Sequence, residues 1–441
     1  MIRQLGIAGL LFFWALAGLA AEPWTLQRAL TYASTNSPDV RLAEQRIKAA
    51  RAGLEQANSA FWPRLRFQSS YTRTDNPMMA FGSILAQHAY SQSLVPSYND
   101  LPDLDDLNVK GLVTLPLYTG GRNVAGRRAA KAGAEAAQAD AYAIQNALAF
   151  EVTRTFCTIL KTREFVRAAE AAVHSYETNL TIAQRRLNTG ALLKTDVLDI
   201  EVRLAQARED LVRARNAREL TERAFRNLLG IEEGDVTVAD TVPDVTAPDS
   251  GDFSQRPELA AARQRAQAAS AQLRGAKGGH LPNVSAFGSL DYDYGWETEG
   301  DGKSYTAGVM LQWDLWDGFQ TRGKIREAKA NVEAAREAQR KVRLALDLEV
   351  HQARLNLQQA RERLAVTEKA VDQATESETL TAARFEQGLA LSTQLFDAET
   401  ALTGARVRRA EAEADQRIAL AALRKALGLP QLDDDLPQVK Q

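Results

Sequence analysis

Leu112-Val113-Thr114-Leu115-Pro116-Leu117-Tyr118-Thr119-Gly120-Gly121-Arg122 runs into a stretch that meets no proline until Pro243. Val309-Met310-Leu311-Gln312-Trp313-Asp314-Leu315-Trp316-Asp317-Gly318-Phe319-Gln320 does the same, with none until Pro430. Each alternates apolar and polar residues, halts at glycine, and passes into an Ala-, Arg- and Glu-rich run. That is a strand with two different faces followed by a long helix. Two copies of so unusual a junction in one chain mean an internal duplication, which governs the choice of fold.

Working outward, the duplication extends over most of the sequence. Ser37-Pro38-Asp39-Val40 aligns with Arg256-Pro257-Glu258-Leu259, and Phe61-Trp62-Pro63 with His280-Leu281-Pro282. Beyond the junction, Arg186-Leu187-Asn188-Thr189-Gly190 aligns with Arg384-Phe385-Glu386-Gln387-Gly388, and Leu228-Leu229-Gly230 with Ala426-Leu427-Gly428. The offset changes once, so one insertion lies between Thr74 and Asn108. The expected organisation is a leader at 1–20, a first repeat at 21–230, an intervening segment at 231–254, a second repeat at 255–428 and a tail at 429–441. Each repeat reads as helix, β-hairpin (64–118 and 283–316), long helix (122–188 and 320–386) and shorter helix (193–229 and 391–427).

The hairpin strands have one apolar and one polar face. Val284, Ala286, Gly288, Leu290 and Tyr292 oppose Asn283, Ser285, Ser289, Asp291 and Asp293, with Phe287 the exception. Tyr305, Ala307, Val309, Leu311, Trp313 and Leu315 oppose Ser304, Thr306, Gln312 and Asp314. In the first repeat Val109, Gly111, Val113, Leu115 and Leu117 oppose Asn108, Lys110 and Thr114, while Leu65, Phe67 and Tyr71 oppose Arg64, Arg66, Gln68 and Arg73. Their length suits a tilted membrane strand of about 10 residues, and a half-buried soluble hairpin has the same pattern. A membrane sheet leaves no open edge, and the smallest outer-membrane barrels need about 8 strands. Four strands in a membrane therefore require pooling with other copies of the chain.

The run from Arg122 to Leu187 predicts a helix of roughly 100 Å at 1.5 Å per residue. Val166, Val173, Leu180 and Leu187 recur seven apart, with Ala169, Tyr176 and Ala183 between them. Val197, Ile200, Leu204, Ala207, Leu211 and Ala214 answer at three and four spacing, which predicts an antiparallel coiled-coil hairpin. Gly190 and Gly388 mark the tips, with Thr195 and Thr393 as N-caps of the returning helices.

Composition limits the function. The 441 residues carry a net charge of −2, which gives no footprint for nucleic acid. Arg3 followed by the apolar run Leu5 to Leu19 and small residues reads as a secretory leader. Cys157 is the only cysteine, so no disulfide framework exists. His88, His174, His280 and His351 are scattered without ligand spacing, and neither a nucleophile motif nor a cofactor signature is present. Asp100, Asp103, Asp105 and Asp106 lack the glycine and distal glutamate of a calcium loop, and read as a solvated extracellular loop. Met78-Met79 with Phe81 suits either lipid contact or a plug of the outer mouth.

The duplicated order, with Gly120-Gly121-Arg122 and its counterpart at Gly318, resembles the TolC-like outer-membrane factors of tripartite efflux pumps and type I secretion systems. The insert from Asn76-Pro77 to Ala86-Gln87, containing Phe81-Gly82-Ser83, is similar to one seen in many members. The resemblance implies a mainly α protein with membrane β. A homotrimer would pool its strands in a twelve-stranded barrel in outer-membrane lipid and build a periplasmic tube from its helices. It implies a passive conduit rather than an enzyme, without cofactor, served by a periplasmic adaptor (membrane fusion protein) and, through it, an inner-membrane transporter of RND or ABC type. Adaptor docking falls on Gly190-Ala191-Leu192 and Gly388-Leu389-Ala390. The periplasmic gate falls on Asp397, with Gln394 where the family has a second aspartate, and on Asp196 and Asp199 of the first repeat. Export of small toxic molecules is preferred, with type I protein secretion the alternative. A trimeric coiled-coil adhesin or a periplasmic scaffold accounts for fewer of these features.

Overall fold

The computed structural model describes residues 23–95, 99, 101–248 and 251–433. The expected leader, Asp100 and the tail beyond Asp433 lie outside the described residues. In chain order the elements are α1 (Leu26–Asn36), α2 (Pro38–Ser59), β1 (Arg64–Thr74), α3 (Pro77–Ala86), β2 (Leu104–Thr119), α4 (Arg122–Asn188), α5 (Lys194–Leu229), α6 (Pro257–Lys277), β3 (Asn283–Tyr294), β4 (Asp301–Gln312), α7 (Gln320–Glu386) and α8 (Ser392–Leu427). Where one helix is expected before the first hairpin there are two. Pro38 lacks an N–H and drives Ser37 to extended geometry (ψ 136°), so α1 stops there and α2 begins with proline in its first turn.

Two units divide the chain, each drawing on both repeats. The first takes residues up to Arg41, Gln145–Gly251 and Glu349 onward; the second takes Leu42–Ile144 and Asp252–Leu348. In the first unit Leu26, Leu30, Val152, Phe156, Ile159, Phe225 and Leu229 form a core, with Phe156 and Phe225 meeting edge to face at 6.0 Å. The intervening segment lies on this core. Trp24 N–H donates to the Thr237 carbonyl (2.7 Å), Ala239 N–H donates to the Trp24 carbonyl (2.9 Å), and Val238 is buried. Cys157 is buried as a small hydrophobe, and burial pushes its thiol up to about 11.

The second unit holds one antiparallel sheet in the order β1-β2-β3-β4. Arg64 pairs with Thr114, Leu107 with Tyr294, and Asn283 with Gln312. Residues opposite one another share a face, so most polar residues of the four strands line one side and most apolar residues the other, with Leu112 and Met310 on the polar side and Asp105 and Lys303 on the apolar side. Arg73, grouped above with the polar face, shares the parity of Tyr71; its guanidinium reaches past the strand end to Glu297 at 3.3 Å. The strand expected to run to 316 ends at Gln312, because its partner β3 begins at Asn283 directly after Pro282, which has no N–H to donate. Phe287 sits on the polar face because Gly308 beside it leaves room: a Cβ there would approach the Phe287 ring to 3.0 Å.

The insertion corrects a second expectation. Asp105 belongs to β2 rather than to a solvated loop, and it is 2% exposed. Its carboxylate accepts the backbone N–H groups of Trp296 (3.2 Å) and Glu297 (2.9 Å), so it closes a turn instead of waiting for a cation. Among the described residues no cluster of three or more acidic, His or Cys groups could hold a metal, and no helix is long and apolar enough to cross a membrane.

Candidate functional site

The tips of the helical hairpins lie in the first unit, and their geometry follows from glycine. α4 and α7 each end in a residue pair whose second member, Gly190 (φ 72°) or Gly388 (φ 78°), is left-handed. Ala191 N–H then donates back to the Arg186 carbonyl (2.9 Å) and Leu389 N–H to the Arg384 carbonyl (2.8 Å), which satisfies the open helix ends. A side chain at either glycine would strain the backbone that turns the chain.

The returning helices start two residues earlier than a threonine cap requires. Leu193 and Leu391 occupy the cap positions, and Thr195 and Thr393 lie inside the first turn. The cap is supplied from inside the helix: Asp196 accepts the Leu193 N–H (3.4 Å), and Gln394 accepts the Leu391 N–H (3.1 Å). A neutral amide oxygen serves this as well as a carboxylate, which is why Gln394 can stand where an aspartate is expected. Asp196 also accepts from Ser392 Oγ (3.2 Å), joining the tips of the two repeats. Asp199 and Asp397 point outward on the exposed faces of α5 and α8. Leu193, Leu389 and Leu391 are exposed and Leu192 half-buried, so each tip presents apolar side chains beside its glycine.

Two residues that matter here escape a reading of the sequence. Arg186 donates to the Phe385 carbonyl (2.9 Å) and the Ala191 carbonyl (3.4 Å), and its guanidinium lies 5.3 Å above the ring of buried Phe385. An arginine four residues before the tip glycine recurs as Arg384, which was the available signal. Glu399 of α8 is 5% exposed beside Leu395, Phe396 and Leu402. A glutamate inside that three-and-four apolar spacing marked it. Its Oε1 accepts from Ser175 Oγ (2.7 Å) and Asn179 Nδ2 of α4, and Oε2 has no partner among the described residues.

Burial pushes the Glu399 carboxyl up to about 6, with the like charge of Glu378 on α7 adding to it and the Ser175 and Asn179 donors opposing it. The other charged or titratable groups around it are Tyr176 of α4 and Arg203 of α5. In the unfolded chain the proton leaves near the ordinary value of 4.5, so the folded chain binds it more tightly. The resulting stability is complete below that value and is lost as pH rises through about 6, a difference of about 2 kcal/mol. Glu399→Gln is expected to flatten this slope: raising the pH from about 4.5 to about 7.5 should lower the unfolding free energy of the native chain by about 2 kcal/mol more than that of the variant. Equal slopes would overturn the assignment.

In the second unit the polar sheet face carries charge in an ordered way. Arg64 and Arg66 stand at the end next to the helices, Lys110 pairs with Asp291 (3.1 Å) midway, and Asn108 donates to Asp293 (2.7 Å) towards the turns. On the opposite face Leu65, Phe67, Leu290, Tyr305, Val309 and Leu311 are exposed together, the kind of contiguous apolar surface that marks a membrane or protein contact. Among the described residues, both edge strands, β1 and β4, are open within one chain.

The comparisons accord with this architecture. Protein CyaE of Bordetella pertussis is 29% identical over 343 residues, covering 73% of this chain and 71% of that protein. Outer membrane protein TolC of Vibrio cholerae is 24% identical over 445 residues, covering 94% and 93%. The Campylobacter jejuni CmeC outer membrane channel has a similar fold, with a TM-score of 0.81 at 16% identity over 93% of this chain and 87% of that one. Residues 29–231 and 253–429 match the family model described as outer membrane efflux protein. The chain belongs to the outer membrane efflux protein family.

Proposed function

We propose that three copies form an outer-membrane channel that passively conducts substrates from a tripartite pump to the exterior. The observation that carries this is the open-edged, two-faced sheet, in a chain that also builds duplicated helical hairpins. A sheet with exposed Leu, Phe and Tyr on one side and Arg, Lys and Asp on the other needs lipid outside and water inside, and three sheets close the edges that one leaves open. The helices then form the periplasmic tunnel. The conduit is passive, and an inner-membrane transporter supplies its energy through a periplasmic adaptor.

The finer assignments follow from the tips. Gly190-Ala191-Leu192 and Gly388-Leu389-Ala390 give the adaptor's helical hairpins an apolar docking surface, supported by the exposure of Leu193, Leu389 and Leu391. Asp397 and Asp199 supply the acidic constriction, where rings of carboxylates favour cations. Gln394 and Asp196 hold the helix starts behind them. An RND- or ABC-type transporter fits equally, and small toxic molecules are the proposed cargo.

Cells lacking this protein should accumulate a fluorescent efflux dye to a several-fold higher level than cells in which it is restored. Equal accumulation would sink small-molecule efflux and favour type I protein secretion.

A further inference from the structure

The insertion in the first repeat is built onto the polar face of the sheet, at the strand ends remote from the helices. Gly302 of β4 pairs with Asp293 and shares its face with Ser304 and Thr306. A Cβ at Gly302 would collide with the carbonyl oxygen of Ala86, so the C-terminal end of α3 rests directly on that face. Gln87, fully buried, locks it there. Its Nε2 donates to the Asp106 carboxylate (2.9 Å) and the Asp105 carbonyl (2.8 Å), and its Oε1 accepts from Thr298 Oγ1 (2.6 Å). Asp106 shares the parity of Asn108 and Lys110, the polar side. On one flank of α3, Ala80 and Ile84 pack against Val95, Leu101 and Leu104. On the other, Met78 is 85% exposed, Met79 54% and Leu85 49%.

This placement decides what the exposed flank meets. If the apolar face is against lipid, the polar face lines the channel, and α3 lies inside the mouth where lipid cannot reach it. Twelve strands about 4.8 Å apart and tilted by about 40° close on a ring roughly 24 Å across between backbones. A helix with its side chains is about 10 Å across. Three helices of that width resting on the inner wall of such a ring crowd its centre, which brings each exposed apolar flank towards its symmetry mates.

We infer that the α3 helices of three copies meet through Met78, Met79 and Leu85 and close the outer mouth as an apolar plug. The plug rests on the trimeric-channel reading, and it makes the outer mouth a second barrier separate from the acidic periplasmic tips. Methionine suits a contact that must part and reform, because its unbranched side chain repacks readily. Cargo leaving the channel has to displace this contact.

The test uses Met79→Cys and Met78→Cys in a Cys157→Ala background, with Leu290→Cys on the apolar sheet face as the comparison. Purified protein is oxidised, run on non-reducing gels, and assayed in parallel for channels in planar bilayers. Either α3 variant should give an intermolecular disulfide many-fold more abundant than Leu290→Cys, with conductance that rises when reductant is added. Crosslinking no greater than that of Leu290→Cys, in a preparation that conducts, would overturn the plug and leave the channel standing. A preparation that neither conducts nor sediments as a trimer overturns the channel, and the plug with it.

Discussion

Arg186→Ala is expected to loosen the tip and leave the channel leaky, raising bilayer conductance and sensitising cells to bulky antibiotics that the outer membrane excludes. The guanidinium holds the end of α7 through the Phe385 carbonyl and the α4–α5 turn through the Ala191 carbonyl, while covering the Phe385 ring. Hydrogen bonds from a charged donor contribute about 1.5 to 3 kcal/mol where they are shielded, and a half-buried arginine takes the lower part of that range. A loss of about 2 kcal/mol shifts the equilibrium between joined and separated tips roughly thirtyfold. Lysine restores the charge without the planar fork, so Arg186→Lys should recover only part of the effect. The Asp196–Ser392 bond is the independent second link, and Ser392→Ala should act in the same direction with a smaller effect, being one bond to a half-exposed carboxylate. If Arg186→Ala conducts like the native channel and its tips resist protease equally, the arginine has no part in closure.

Much of this molecule was legible because its features repeat. A helix of 67 residues appears twice, and each time proline is absent and a glycine pair or its remnant precedes it. The sheet was readable because the alternation of Val284, Ala286, Gly288 and Leu290 against Ser285, Ser289 and Asp291 survives in four strands, and period two leaves no other backbone to explain it. The insertion had no second copy to compare, and there the reading failed. α3 was invisible as a helix because ten residues are too few for a periodic signal, even with Asn76 capping Met78 and Met79 (3.1 and 3.3 Å) and Pro77 in the first turn. Asp105 looked solvated because nothing local announces the two backbone donors that reach it from nearly two hundred residues away.

The tip region divides the same way. Gly190 and Gly388 were readable because a left-handed residue after a helix calls for glycine. The caps were misassigned to Thr195 and Thr393, since the sequence offers several polar residues within one turn and only backbone geometry says which holds the N–H. Arg186 and Glu399 depend on which helices lie side by side, and the chain does not state that locally. The charged sheet face is an intermediate case. The polar residues could be listed, but the pairing of Lys110 with Asp291 needed the register of β2 against β3.

Arg424→Ala should cost the first unit about 3 kcal/mol and free the chain after Gly428 from the body of the protein. Arg424 sits near the end of α8, 5% exposed, where a long cationic side chain has little reason to be unless it is fully engaged. The helix stops at Gly428, Leu429 N–H returns to the Arg424 carbonyl (2.8 Å), and this reversal lays the next residues across the guanidinium. Nε donates to the Pro430 carbonyl (2.6 Å), Nη2 to the Leu432 carbonyl (3.2 Å), and Nη1 to the Thr246 carbonyl (3.2 Å) and the Asp433 carboxylate (2.8 Å). One side chain thus ties the tail and the inter-repeat segment to the same helix. The Asp433 carboxyl is held below the usual range first by its hydrogen bond from Arg424, so that link persists at neutral pH and weakens only in acid, as the carboxyl takes up its proton. Alanine would leave three carbonyls without a donor and a cavity where the stem packed, whereas Arg424→Lys keeps a charge that reaches one of the four acceptors and should fall between. The expected signature is local. Hydrogen exchange should accelerate at 244–248 and 429–433 well before the Phe156–Phe225 core loosens, and protease should cut there first. Unchanged protection in both segments would mean that the core alone holds them and that the guanidinium merely fills space.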